Sequence, residues 1–153
     1  MYRFKTGKFA GKSMEQVMLR NAPDLYEIAG WATDKPQLDS LLREFNHLRR
    51  ALQEAPIVVS CAKSGCKRHP ETMTLPIGPD RYYWPAPYFW CRKHEPWEKD
   101  GISPKLPIHF DTLDSFRDKK NRSAVHKSVL AAYGIKKASI TERFASRFFA
   151  NLS

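Results

Sequence analysis

The chain has 153 residues and a formal net charge of +10, from 26 Lys and Arg against 16 Asp and Glu. Hydrophobic residues make up 42%, enough for a core, which excludes a wholly disordered chain. No apolar run approaches the roughly 18 residues of a membrane span, and Tyr2-Arg3-Phe4-Lys5 lacks the apolar stretch of a secretory leader.

All three cysteines carry metal-like spacing, which fits a reducing compartment better than a disulfide framework, so the expected location is cytoplasmic. The charge is uneven. Residues 105–153 hold 10 basic and 4 acidic side chains, +6 of the total. A basic segment of this kind points to a polyanion, most often nucleic acid; its plain counterpart is a solubilising surface.

Residues 1–56 read as a Gly-Lys module followed by a long helix. Tyr2–Lys5 alternate as a short strand does, and Gly7-Lys8-Phe9-Ala10-Gly11-Lys12 is a turn with two glycines. Ser13 with Gln16 three residues on is a capping-box arrangement, which predicts a helix to about Arg20. Asn21-Ala22-Pro23 breaks it, and a second helix follows from Asp24 to Trp31 with Leu25, Ile28 and Ala29 on one face. Lys8 and Lys12 are candidate phosphate contacts beside a helix start, and the glycines would permit close backbone approach.

Phe4, Gly7 to Val17, Pro23-Asp24-Leu25-Tyr26 and Trp31 together resemble the small C-terminal module of exodeoxyribonuclease X-like proteins. That module reads F-G-K-Y-K-G-K-T-x-E-x-V, then D-P-x-Y-L-x-W. The resemblance covers residues 2–32, with Phe9 in place of Tyr, Ala10 in place of Lys, and Ala-Pro-Asp in place of Asp-Pro. It implies an accessory to nucleases, a module that also occurs alone and carries no catalytic carboxylates.

Residues 36–54 form the clearest helix. Pro36 starts it, Pro56 ends it, and Leu38, Leu41, Leu42, Phe45, Leu48 and Leu52 make one apolar stripe, with His47 on the surface.

Residues 57–97 read as a zinc-binding β unit. Cys61 and Cys66 form a C-x4-C pair after Ile57-Val58-Val59, and Cys91 and His94 form a C-x2-H pair after Tyr88-Phe89-Trp90. A strand followed by a knuckle, twice, resembles the broad class of zinc ribbons and treble clefs. Four such ligands close a tetrahedron around Zn2+ and leave no open position for a substrate. His69 is the alternative to His94. The plain reading is three buried cysteines and a surface histidine. Between the pairs, Met73–Ile77 and Arg81–Trp84 flank Gly78-Pro79-Asp80 as a hairpin does. Tyr82, Tyr83, Trp84, Tyr88, Phe89, Trp90 and Trp97 are interleaved with basic residues, so two or three exposed aromatics are expected to stack bases while the rest make the core.

Residues 98–110 read as a Pro-rich connector over the surface, and residues 111–153 as a basic helical region. Asp111 or Thr112 caps a first segment, Lys119-Lys120-Asn121-Arg122 is a polar basic run, and Ser123 caps a helix that stops at Gly134. Ser139-Ile140-Thr141-Glu142 is a capping box for a last helix with Ile140, Phe144, Phe148 and Leu152 on one face. Val129 to Ile135 with that basic helix is similar to a helix-turn-helix, against the plainer reading of two packed helices.

No catalytic constellation emerges. A nuclease of the exonuclease X class needs several metal-binding carboxylates, and an HNH-type site would have only His69, Asn121 and His126 to draw on. The expectation is an α+β protein: a small zinc-stapled β unit packed with helices, and a helical C-terminal tail. It would bind DNA or RNA without catalysis through Lys8, Lys12, Lys67, Arg68, Arg92, Lys93, Lys119, Lys120 and Arg122. The alternative is an adaptor or subunit of a larger nucleoprotein complex in defence, CRISPR or replication, or a phage-encoded inhibitor of one. It would act by protein contact.

Overall fold

A computed structural model describes residues 1–94 and 100–152, and the fold is α+β. Two compact units share the chain. One joins Met1–Ala55 to Lys136–Ser153; the other is Pro56–Ile135. This division differs from the four consecutive segments read in the sequence, because the last helix belongs with the first residues. Trp97, and residues 98 and 99 of the expected connector, lie outside the described residues.

The first unit is helical. Its opening residues fold back on the segment before α1 (Met14–Arg20), with Phe4 and Lys12 hydrogen-bonded at 3.0 Å and Met14 and Tyr2 at 2.9 Å. The strand expected over Tyr2–Lys5 is one bridge, Arg3 to Ser13. Gly7 and Gly11 both sit at φ +78, and nothing lies within 4 Å of where a Cβ would point. Their role is therefore the left-handed backbone of the turn rather than close approach to a neighbour. The Ser13 hydroxyl accepts from the Gln16 amide and caps α1 as expected.

Asn21 alone separates α1 from α2 (Ala22–Ala32). Pro23 lies in the first turn of α2, where a missing N–H costs nothing, so it starts a helix instead of breaking one. A single 3-10 turn, Pro36–Leu38, precedes α3 (Asp39–Glu54). The α3 stripe narrows to Leu41, Phe45, Leu48 and Leu52, all buried. Phe45 meets the Tyr26 ring edge-on at 5.0 Å.

The last helix, at Glu142–Ala150, packs on α1. Ser146 donates to Glu15 at 2.7 Å, and the Arg20 guanidinium reaches the Ile140 carbonyl at 3.3 Å. Its cap is Thr141, which accepts from the Phe144 amide. The buried side chains are Ala145 and Phe149, with Ile140 just ahead of them. Phe144 and Phe148, expected on one face with Ile140 and Leu152, are half-buried and stack on each other at 6.4 Å.

The second unit holds a three-stranded antiparallel sheet in the order β2-β1-β3: β1 Thr72–Thr74, β2 Tyr88–Trp90 and β3 Leu106–Pro107. Met73 faces Phe89 on one side and Leu106 on the other. Period-2 alternation puts these three on one face, where Met73 and Leu106 are buried, and Thr72, Thr74, Tyr88 and Trp90 on the other. The expected hairpin at Gly78-Pro79-Asp80 exists only as a bridge from Ile77 to Tyr83; the ladder itself goes to Tyr88–Trp90. The Pro-rich connector is not merely a surface strap. It supplies β3, and Ser103, Leu106 and Ile108 are buried.

A 3-10 segment, Phe110–Ser115, is capped by His109 and leads to α4 (Lys119–Ala132). Asp118, not Ser123, caps α4, so the Lys119–Arg122 run is its first turn. The helix closes with Gly134 at φ +70 and Ile135 donating to Leu130 at 2.9 Å, a Schellman closure that buries Ile135 and Leu130. The helix after Ile140 is labelled α5. It falls in the other unit from α4 and packs on α1, so the two helices of the expected helix-turn-helix are divided between the compact units. No helix of the described residues is long and apolar enough to cross a membrane.

Candidate metal centre and its basic surround

Two turns bring the four spaced ligands together. The first runs from Cys61 to Cys66, tied by Cys66 donating its amide to the Lys63 carbonyl at 3.0 Å, with Gly65 at φ +76. The second follows β2 directly, and His94 donates its amide to the Cys91 carbonyl at 3.0 Å. Ala62 donates to the Phe89 carbonyl at 2.7 Å, which docks the first turn against the strand that carries the second.

The ligand atoms of Cys61, Cys66, Cys91 and His94 all lie within 4.8 Å of one another, close enough to hold one metal ion. His94 Nδ1 stands 3.6 Å from the Cys61 sulfur and 3.5 Å from the Cys91 sulfur, and the Cys66 and Cys91 sulfurs are 3.9 Å apart. Among the described residues this is the one such group. Cys61 and Cys91 are buried, Cys66 and His94 half-buried. His69, the alternative ligand, is exposed and outside the group.

The thiols differ electrostatically. Burial pushes the Cys61 thiol up, but hydrogen bonds from the Cys91 and Lys63 backbone and from the His94 and Cys91 side chains outweigh it and bring Cys61 to about 6. For Cys66, a backbone hydrogen bond at Arg68 favours the thiolate, yet burial and the neighbouring Cys91 and Cys61 sulfurs raise it above its ordinary value. One thiolate therefore forms readily and suppresses the next, which is what a cluster of anionic ligands does before a cation neutralises it.

Comparison with family models, curated proteins and solved structures returns no match to this chain.

The cations named from the sequence divide by location. Lys67, Arg68, Arg92 and Lys93 are all exposed and sit on or beside the two ligand turns. Lys8 pairs with Asp24 at 3.0 Å, and Lys12 is half-buried with its ammonium 5.8 Å from the Phe9 ring centre. Asp24 partly neutralises the Gly-Lys turn, and the α1 cap already satisfies the amide of Gln16. Lys119 and Lys120 are exposed, and Lys120 reaches Asp80 at 3.8 Å and the Tyr82 ring at 4.4 Å; Arg122 is half-buried.

Of the aromatics, Trp84 and Tyr88 are exposed, at 53% and 51%. Tyr88 stacks on Trp90 at 6.3 Å, and Trp90 donates its indole N–H to the buried Thr74 at 3.0 Å, which fixes the pair on the sheet face that carries Thr72 and Thr74. The three residues weighed for an HNH-type site are used separately. His126 is fully buried with its ring edge-on to Phe110 at 5.9 Å. Asn121 accepts from the Tyr83 amide at 2.8 Å, and His69 is exposed. Sequence reading missed the juxtaposition of Tyr82–Pro85 with the first turns of α4, because the residues are about forty positions apart and no local pattern links them.

Proposed function

We propose that this protein binds nucleic acid without catalysis, through a zinc-stapled unit that presents cations and aromatic rings on one small scaffold. The observation that carries this reading is the exposure of Lys67, Arg68, Arg92 and Lys93 on the two turns that hold the four ligands. Fixing the ligands fixes the cations.

Zinc suits the donor set. Three thiolates and one imidazole are a structural zinc combination, and tetrahedral Zn–S and Zn–N bonds imply S···S edges of about 3.8 Å and S···N edges of about 3.6 Å. The observed 3.9 Å, 3.6 Å and 3.5 Å lie close to both. With four protein ligands the ion would have no open position, so its contribution is to folding. Phosphates would meet the knuckle cations, and bases would lie on Tyr88 beside them. The Gly-Lys module would be an auxiliary contact.

The test is fluorescence anisotropy with labelled single-stranded DNA, double-stranded DNA and RNA across a salt series. Binding that weakens steeply with salt is expected, with a slope of about 0.9 per neutralised phosphate on a duplex and about 0.7 on a single strand. Replacing Lys67, Arg68, Arg92 and Lys93 by Ala should lower both affinity and slope. Weak binding to all three probes would turn the reading to the adaptor or inhibitor alternative. The apolar groove of the first unit, about 620 Å³ between Phe4, Phe9, Trp31 and Leu41, would then be the surface to probe.

A further inference from the structure

The second unit contains a cleft that neither the ligand cluster nor the knuckle cations explain. Its walls are Tyr82, Trp84 and Pro85 from one loop, and Lys120, Ser123 and Lys127 from α4. The volume is about 280 Å³. That is below the range of pockets for drug-sized ligands, but gives room for one planar ring with a charged group at its rim.

The loop is held from several sides. The Trp84 amide donates to the Pro76 carbonyl at 2.8 Å, the Tyr83 amide to Asn121 at 2.8 Å, and the Tyr83 ring meets Phe116 edge-on at 5.5 Å. Gly78 completes the seat. A Cβ there would collide with the Trp84 indole nitrogen and ring edge, so the indole lies directly on the turn backbone. Trp84 is thus 53% exposed and yet positioned. A large exposed ring held in place pays little entropy when something stacks on it.

The charge at the rim identifies the ligand. Lys120 and Lys127 line the cleft, with Lys119 exposed beside them. The acidic group lining it is Asp80, which reaches Lys120 at 3.8 Å with both side chains more than half exposed. An exposed pair of that kind is worth little, so a phosphate can displace it. A cationic rim over an aromatic wall fits a nucleotide. In a duplex both base faces are covered by stacking and extruding one costs a few kcal/mol, so the fit is to an unpaired one.

We propose that this cleft receives one unpaired nucleotide of a single-stranded nucleic acid, its base on Trp84 and its phosphate on Lys120 and Lys127. The proposal rests on the nucleic-acid reading above and adds to it a strand preference and a second contact site. Stacking gives affinity without sequence preference, since every base has a π-face.

The test uses the full chain and fluorescein-labelled oligonucleotides about 15 nucleotides long, at the upper end of such site sizes: single-stranded DNA, single-stranded RNA and the matched DNA duplex. Wild type should prefer the single strands. Trp84→Ala should weaken them by about 5- to 160-fold, as loss of a stacked base does, with the salt slope unchanged because no charge is lost. Trp84→Phe should restore most of that loss. Lys127→Ala should lower the single-strand salt slope by about 0.7. The quadruple knuckle variant should instead weaken single strands and duplex alike. If Trp84→Ala and Lys127→Ala bind single strands as wild type does, or wild type prefers duplex, the cleft is not the site and the broader reading stands. If wild type binds none of the three probes, both readings fall.

Discussion

His94 Nδ1 lies 3.5 Å from the Cys91 sulfur across a turn that begins where β2 ends. A strand three residues long could not hold that turn by itself. The turn is tied through Ala62 to the other ligand pair, and a shared ion would close the loop between them. The apparent free energy of structural zinc in small fingers is about 10–16 kcal/mol at pH 7. That is comparable to the roughly 5–15 kcal/mol that keeps a whole domain folded. Cys91→Ser is therefore expected to lose stoichiometric metal and the cooperative unfolding of the second unit, read by elemental analysis of gel-filtered protein and by calorimetry. His94→Cys should keep the metal, and His69→Ala should change neither quantity. A Cys91→Ser protein with wild-type metal content and melting temperature would falsify the centre.

The α5 face is the clearest place where a helical pattern misleads. Ile140, Phe144, Phe148 and Leu152 recur at intervals of four, but Ala145 and Phe149 are the buried helix positions. A regular stripe says which side chains share a side; it does not say which side meets a neighbour. Here α1 supplies Glu15 to Ser146, which turns the Ala145–Phe149 side inward. Phe149→Ala should cost about 3–5 kcal/mol, as truncation of a buried aromatic does. Phe144→Ala, half-buried, should cost well under half as much. Urea denaturation of the two variants decides between the faces, and equal costs would restore the stripe.

Local chemistry was legible in this sequence and long-range partnership was not. Ser13 and its Gln16 amide and the α3 core of Leu41 to Leu52 follow from spacing along one helix, and the grouping of Cys61, Cys66, Cys91 and His94 is the long-range exception, legible because two pairs of soft ligands complete one tetrahedron. His94, not His69, joins the group, and a C-x2-H turn is what brings Cys91 and His94 to one point. Distance defeats such reasoning. Nothing near Met73 says that it pairs with Phe89 instead of the nearer Arg81–Trp84 run, or that Leu106 in a Pro-rich stretch completes the sheet. Trp84 likewise reads as one aromatic among seven until Gly78 and α4 are placed around it.

The Arg3–Glu142 pair gives the first unit a dependence on pH. The Arg3 guanidinium hydrogen-bonds Glu142, and with its charge holds that carboxyl below its ordinary range. A carboxylate depressed in the folded state stabilises fully above its unfolded value, about 4.3, and the contribution is lost as pH falls through the lower folded value. Glu142→Gln should thus melt slightly below wild type at pH 7, and the gap should close on acidification below about pH 4. Both side chains are exposed, so added salt should shrink the gap as well. A gap equally wide at pH 7 and pH 3 would show that the glutamate acts through packing rather than charge.

The start of α4 offers the sharpest test of a cap. Ser123 and Asp118 each precede a helical run, and Ser123 stands just after four polar residues that look like a loop. The structure extends the helix back through those four, because Asp118 accepts from the Asn121 amide at 2.7 Å and sits at extended φ −80, ψ 142. Its carboxylate also opposes the positive end of the helix dipole, which Lys119 and Lys120 otherwise aggravate. Asp118→Ala should destabilise by about 1 kcal/mol, within the range for a lost N-cap. Ser123→Ala, inside the helix, should be near neutral or slightly stabilising, since Ala is the better helix former. Asp118→Asn should retain most of the capping bond while losing the charge. Its thermal midpoint should therefore fall between wild type and Asp118→Ala, and a midpoint at or below that of Asp118→Ala would remove the cap from the account.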